Sequence, residues 1–262
     1  MEKDILQTIL AAKKEEVARQ KQVITETQLQ QQLSDRMQMH SLAQSLLNSS
    51  TGIIAEFKRR SPSKGWINRE ADVAQVVQAY EQAGAAGLSV LTDEAFFGGS
   101  LKDLRIARQA AQLPVLRKDF VVDEYQLYQA RVLQADVVLL IAAALTPLRC
   151  RQLACLAHEL QLEVLLEVHR EEELDCLNEY VDLIGVNNRN LGSFHTDVEN
   201  SFRMARVLPA SLPWVSESGI ASAAVVRSLR EAGFRGFLMG EAFMKTNNPG
   251  NALSDFIKTL NL

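Results

Sequence analysis

The sequence predicts an α/β protein built as a (β/α)8 TIM barrel with an N-terminal helical extension. Three observations predict it. Eight short, nearly continuous apolar runs recur from Gly52 onward. Helical patterns with their own start and stop signals fill the gaps between the runs. The chain is 262 residues long, which suits one large domain with a sizeable core. Runs that are apolar at nearly every position suit parallel strands covered on the outside by helices. Strand and helix alternating eight times describes the barrel. A doubly wound open sheet is the structural alternative, but it usually has five or six strands and a Gly-x-Gly-x-x-Gly after the first, which is absent here.

Residues 1–50 form the extension. Ile5, Ile9 and Val17 set a helical apolar spacing, residues 28–32 are a polar glutamine tract, and residues 41–50 carry a second, weaker helix. This segment reads as packing on the barrel, so residues 1–262 are expected to form a single domain with the barrel at 52–262. The strand runs fall at 53–58, 87–91, 114–118, 137–141, 164–168, 183–187, 214–218 and 236–240. Between them, residues 73–83 place Val73, Val76, Val77 and Tyr80 on one helical face, and Gly84 stops that helix. Ser100-Leu101-Lys102-Asp103 has capping spacing ahead of a helix over 104–111. Thr146-Pro147 is an N-cap followed by proline at the first helical position, opening a helix to about Leu160. A further helix over 221–232 ends at Gly233.

Composition narrows the function. Apolar residues make up 47% of the chain and charged residues 23%, a globular balance. The net charge of −4 argues against nucleic acid as the main partner, which calls for a basic footprint. The longest uninterrupted apolar run, 137–145, is far short of the roughly 20 residues that span a bilayer. The N-terminus lacks the apolar stretch of a signal peptide. Cys150, Cys155 and Cys176 have no disulfide or metal spacing and read as small hydrophobes in a reducing cytoplasm. His40, His158, His169 and His195 show no ligand spacing either, so neither metal nor organic cofactor is expected.

In such a barrel the reactive groups sit where strands end. Strand 1 ends Glu56-Phe57-Lys58, strand 3 ends Lys118-Asp119, strand 5 ends at Glu167, strand 6 ends Asn187-Asn188-Arg189, and strand 7 ends Glu217-Ser218-Gly219. Glu56 and Lys58 share one strand face, leaving Ala55 and Phe57 for the helix layer. Lys118 shares parity with Leu116, Glu167 with Leu165, and Asn187 with Gly185, whose small size would leave room inside. Any one of these groups alone reads equally well as a structural ion pair. Five strand ends converging on one rim favour function. Ser218-Gly219 and Gly240 follow strands 7 and 8, where this fold often cradles phosphate on backbone N–H groups. The polar 61–65 loop after strand 1 is placed to cover a substrate.

Taken together, Glu56-Phe57-Lys58-x-x-Ser61-Pro62-Ser63-Lys64-Gly65, Lys118-Asp119-Phe120, Glu167-Val168, Asn187-Asn188-Arg189-x-Leu191 and Ser216-Glu217-Ser218-Gly219 resemble indole-3-glycerol-phosphate synthase. The resemblance runs in order from Gly52 to the last strand, and the helical extension fits it. It implies a cytoplasmic carboxy-lyase of tryptophan biosynthesis, a monomer or weak homo-oligomer needing no cofactor. Its small-molecule substrate would be the sugar phosphate 1-(2-carboxyphenylamino)-1-deoxyribulose 5-phosphate. By resemblance, Lys118 is the essential acid, Glu167 faces the positive charge on the ring, and Lys58 and Glu56 serve the later dehydration. Asn187 positions substrate and Arg189 meets its carboxylate. Ser218, Gly219 and Gly240 cradle the phosphate, with Lys58 and Ser61 near it and Glu217 and Glu241 beside them. Phe97, Phe120, Leu139 and Leu191 line the pocket for the aromatic ring. Asn190 stands where Asp is frequent, and Glu241 where some members have Ser, so its carboxylate is expected to turn away from the phosphate. Two rivals remain: an aldolase using Lys118 as a Schiff-base nucleophile, and a non-catalytic phosphate-ligand binder on the same barrel.

Overall fold

The computed structural model describes residues 5–33, 39–190 and 195–260. Eight parallel strands close a barrel in sequential order: β1 (Ile53–Phe57), β2 (Gly87–Leu91), β3 (Val115–Lys118), β4 (Val137–Ile141), β5 (Glu163–Val168), β6 (Leu183–Asn187), β7 (Trp214–Glu217) and β8 (Gly236–Met239). β1 closes the ring, pairing with β2 through Ile54↔Gly87 and with β8 through Ile53↔Phe237. A small antiparallel pair, Arg60–Ser61 with Gly65–Trp66, stands on the loop after β1. Side chains alternate as the pleat requires: Ile53, Ala55 and Phe57 pack outward with the helices, whereas Ile54, Leu116, Leu139 and Leu165 fill the barrel interior.

The expected helices form, with bounds shifted by one to three residues in two of them. Asp72 caps α4 (Val73–Ala83), and Gly84 ends it at φ +95°, a left-handed conformation costly for other residues. Ser100 accepts a hydrogen bond from the Asp103 N–H and opens α6 (Leu101–Ala110), three residues earlier than the apolar pattern alone gives. Thr146 caps α7 (Pro147–Glu159), and Ser222 caps α8 (Ala223–Glu231). One crossover departs from the expected alternation. Between β5 and β6 the chain forms the 3₁₀ segment Glu171–Cys176 in place of an α-helix. Asn178 ends it by bonding locally, donating to the Cys176 carbonyl and accepting from the Tyr180 N–H.

The extension contains α1 (Ile5–Val23), α2 (Glu26–Gln31) and α3 (Leu42–Asn48). The glutamine tract is thus largely helical: Thr25 and Gln28 form a reciprocal capping box, and glutamine is a good helix former once the start is fixed. α3 closes the base of the barrel. Leu42 fills the space beside Gly87 and Leu46 that beside Gly236, so a methyl group at either glycine would meet them at 2.5 and 2.9 Å. Both leucines are buried, and each contributes about 2 kcal/mol through apolar burial. α1 joins the same interior apolar cluster through Leu6, Ile9 and Leu10, together with Phe120, Leu139 and Phe97 at the opposite end. Cys150 and Cys176 are buried as expected of small hydrophobes, whereas Cys155 is half-buried. No helix among the described residues is long and apolar enough to cross a membrane.

Candidate active site

The carboxyl ends of the strands surround a cavity of about 160 Å³. Glu56, Lys58, Ser61, Phe97, Lys118, Phe120, Leu139, Glu167, Asn187, Arg189, Glu217, Ser218, Gly219, Gly240 and Glu241 all line it. Leu191, the remaining residue expected in the ring pocket, lies outside the described residues. Residues up to 185 positions apart in sequence meet here because every strand ends on the same rim.

Lys118 lies at the centre. It caps β3, and its ammonium is 2.7 Å from Glu167 Oε2 on β5 and 3.2 Å from Glu217 Oε2 on β7. Burial works against its charge, but Glu167 and then Glu217 outweigh burial and hold the lysine protonated far above its ordinary pKa. The two carboxylates separate in the opposite sense. Burial opposes ionisation of Glu167, yet Lys118 foremost and a hydrogen bond from Asn187 Nδ2 at 3.1 Å drive its pKa down. Glu217 is pushed up to about 7 by burial and by repulsion from Glu167 and Glu56, against the pull of Lys118. Its Oε1 is buried with no hydrogen-bond partner among the described residues. The glycine at 185 makes this arrangement possible, since a Cβ there would meet Glu217 Oε1 at 2.3 Å.

A second acid–base pair faces the first. Glu56 on β1 and Lys58 just past its end lie 2.6 Å from each other. Gly240 gives Glu56 its space: a methyl group at 240 would meet the glutamate Oε1 at 2.7 Å. The apolar side of the cavity holds Phe97 and Phe120, tilted with centroids 6.0 Å apart, and Leu139. On the other side Ser218 and Gly219 are both left-handed, at φ +68° and +74°. The buried Ser61 hydroxyl on the loop after β1 has no hydrogen-bond partner among the described residues. That loop spans the mouth. Arg189 Nη1 donates to Ser63 Oγ at 3.2 Å, and Lys64 pairs with Glu241 at 2.6 Å, so the Glu241 carboxylate is drawn to a loop lysine.

Sequence reading missed His169. It lies just past the end of β5, two residues after Glu167, and its Nε2 is 3.6 Å from Glu167 Oε1 while Nδ1 is 3.4 Å from Glu173. Burial lowers its pKa, but Glu173 and Glu167 outweigh burial and raise it. The parity of 165, 167 and 169 is the signal that points to it. His158, by contrast, pairs with Asp182 at 2.9 Å on the far side of the barrel from the mouth.

A closed parallel barrel that gathers two lysine–glutamate pairs, an orienting asparagine and an aromatic pocket at its strand ends is an acid–base enzyme of the (β/α)8 class. The family model described as indole-3-glycerol phosphate synthase matches residues 6–256. The chain is 58% identical over 258 residues to an indole-3-glycerol phosphate synthase of Bacteroides thetaiotaomicron, covering 98% of this chain and 99% of that protein. It is 45% identical to one of Bordetella pertussis, covering 97% and 99%. The chain therefore belongs to the indole-3-glycerol phosphate synthase family, carboxy-lyases of tryptophan biosynthesis. More distant solved structures share the barrel alone. A 3-hexulose-6-phosphate synthase from Salmonella typhimurium superposes with a TM-score of 0.63 at 13% identity, covering 80% of this chain and 98% of that one.

Proposed function

We propose that this mouth converts 1-(2-carboxyphenylamino)-1-deoxyribulose 5-phosphate into indole-3-glycerol phosphate, releasing carbon dioxide and water. The aromatic ring lies between Phe97, Phe120 and Leu139. The phosphate sits at Ser218, Gly219 and Gly240, with Lys58 and Ser61 beside it. Two features support this end of the site. Consecutive left-handed turns align backbone N–H groups into an anion-binding concavity, and the unbonded Ser61 hydroxyl is available to a ligand oxygen. Arg189 meets the ring carboxylate with its planar fork of donors.

The chemistry proceeds from Lys118. As the ring carbon bearing the carboxylate attacks the sugar carbonyl, the carbonyl oxygen gains negative charge and takes the Lys118 proton. Glu167, kept ionised, faces the positive charge that the attack leaves on the ring and nitrogen. Loss of carbon dioxide returns the bonding pair to the ring. Lys58 then protonates the departing hydroxyl and Glu56 removes the ring proton, yielding the indole. Asn187 keeps Glu167 aimed, and Glu217 holds Lys118 from its second side. Glu241, tied to Lys64, stays off the phosphate. The observation that carries this reading is the protonated Lys118 between two buried carboxylates at the foot of an aromatic pocket. Free cysteines throughout suit a cytoplasmic setting, and a monomeric or weakly self-associating state completes the proposal.

The test is to add the carboxyphenylamino sugar phosphate to purified protein and follow indole fluorescence and carbon dioxide together. Equal amounts of both are expected, with no lysine labelled on borohydride treatment. A trapped Lys118 adduct would instead identify an aldolase, and binding with no carbon dioxide a non-catalytic receptor.

A further inference from the structure

One lysine of the extension is more deeply buried than either lysine of the mouth. Lys13, on α1, has a side chain only 1% exposed, and its ammonium lies 2.9 Å from Asp93 Oδ2, 2.9 Å from Asp119 Oδ1 and 2.8 Å from Glu16 Oε2. Burial opposes its charge, and Asp119 and Asp93 outweigh burial. The cost of burying a lysine is met only where its partners are fixed, so this cation marks a junction between α1 and the rim.

Both barrel carboxylates at the junction control parts of the ring pocket. Asp93 caps α5 (Glu94–Phe97), accepting from the Phe96 N–H at 2.8 Å through the oxygen that Lys13 does not use. Phe97 is the last residue of that turn. Asp119 stands between Lys118 and Phe120, and its Oδ1 accepts from the Phe120 N–H at 2.8 Å. Thr92 at 2.7 Å and Arg117 at 2.9 Å hold its other oxygen. Leu6, Ile9 and Leu10 of α1 pack in the same apolar cluster as both phenylalanines. A single ammonium thus ties together the two backbone segments that present the aromatic walls.

We infer that Lys13 is a positioning residue for substrate, setting the gap between Phe97 and Phe120 from outside the barrel. This role rests on the proposed indole-forming activity and deepens it. Lys13 touches no reacting atom, so its loss acts on ring binding and leaves proton transfer at Lys118 in place. Lys13→Met is expected to raise KM at least fivefold with kcat within twofold, measured well below its melting temperature and with native circular dichroism. Glu16→Gln, which removes only the half-exposed partner, leaves both constants unchanged within twofold. A folded Lys13→Met with KM within twofold of wild type overturns the proposal, as does a kcat loss larger than the KM rise.

Asp93→Asn gives an independent test if Lys13→Met does not fold. Asp93 meets the Phe96 N–H with Oδ1 and the Lys13 ammonium with Oδ2, and an amide keeps an oxygen at only one of those two positions, so one of the two donors faces an NH₂ group. KM is expected to rise at least threefold, and an unchanged KM overturns the proposal. If the wild-type protein forms no indole at all, the functional reading fails rather than the role of Lys13.

Discussion

The two ends of the barrel use buried charge in opposite ways. At the base, Asp136 and Glu163 are each held by two backbone N–H groups along with side-chain partners. Asp136 accepts from the N–H groups of His40 and Val115, each at 2.8 Å, and pairs with Arg108 at 2.8 Å. Glu163 accepts from the Leu42 and Ala43 N–H groups and from Ser41. At the mouth, Glu56, Glu167 and Glu217 are held by lysines and an asparagine on neighbouring strands, and one oxygen of Glu217 has no partner among the described residues. Backbone donors hold a carboxylate in one position. Side-chain donors can leave for a substrate and return. The base is therefore built for stability, and the mouth keeps buried charge that only a bound substrate can use.

Substitution at each end sharpens that contrast. Glu167→Gln is expected to lower kcat by about 10³-fold, since it removes the anion facing the developing positive charge, while the melting temperature stays within a few degrees. Steady-state indole fluorescence and a thermal melt on one preparation check both. Asp136→Ala is expected to do the reverse. It strands a buried arginine and costs about 3–5 kcal/mol, roughly a 6–15 °C drop in melting temperature for a chain this size, with kcat within threefold where the protein is folded. Equal losses of activity from both variants would erase the distinction between the ends.

A smaller effect separates the mouth carboxylates from each other. Glu217 titrates near 7 when folded and near 4.5 when unfolded. The folded state thus binds the extra proton, so this group's stabilising contribution is full below pH 4.5 and is lost as pH rises toward 7. Glu217→Gln does not lose that contribution. Its melting temperature is expected to gain on the wild type between pH 5 and pH 8, by an amount reflecting roughly 2 kcal/mol. Melts at the two pH values, compared as differences, read this directly. A difference that stays constant with pH would mean that Glu217 is ionised throughout.

Much of the fold is legible in the sequence because its signals are local. Eight apolar runs mark the strands, and the Thr146-Pro147 cap marks a helix start to the residue. Strand parity places Glu56, Lys58, Lys118, Glu167 and Asn187 inside the rim. The fine identity of their roles comes from family resemblance, not from spacing. What escapes is non-local or competes with a strong pattern. The Lys13 junction joins residues as far as 106 positions apart, and nothing in a helical pattern tells a buried lysine from a solvated one. His169 sits just past a strand end, where its parity is masked by the stronger signal of Glu167. The 3₁₀ crossover at Glu171–Cys176 depends on Asn178 bonding its own neighbours, a local contest that apolar periodicity does not register.

The central claim is that Lys118 is the acid that starts ring closure. It is tested most directly by single-turnover indole formation in Lys118→Ala, with the folded fraction matched to wild type by circular dichroism. The account predicts that substrate still binds, with turnover reduced at least about 10³-fold and no indole formed in the time the wild type needs for its first turnover. Indole formation within tenfold of the wild-type rate by this folded variant would contradict it.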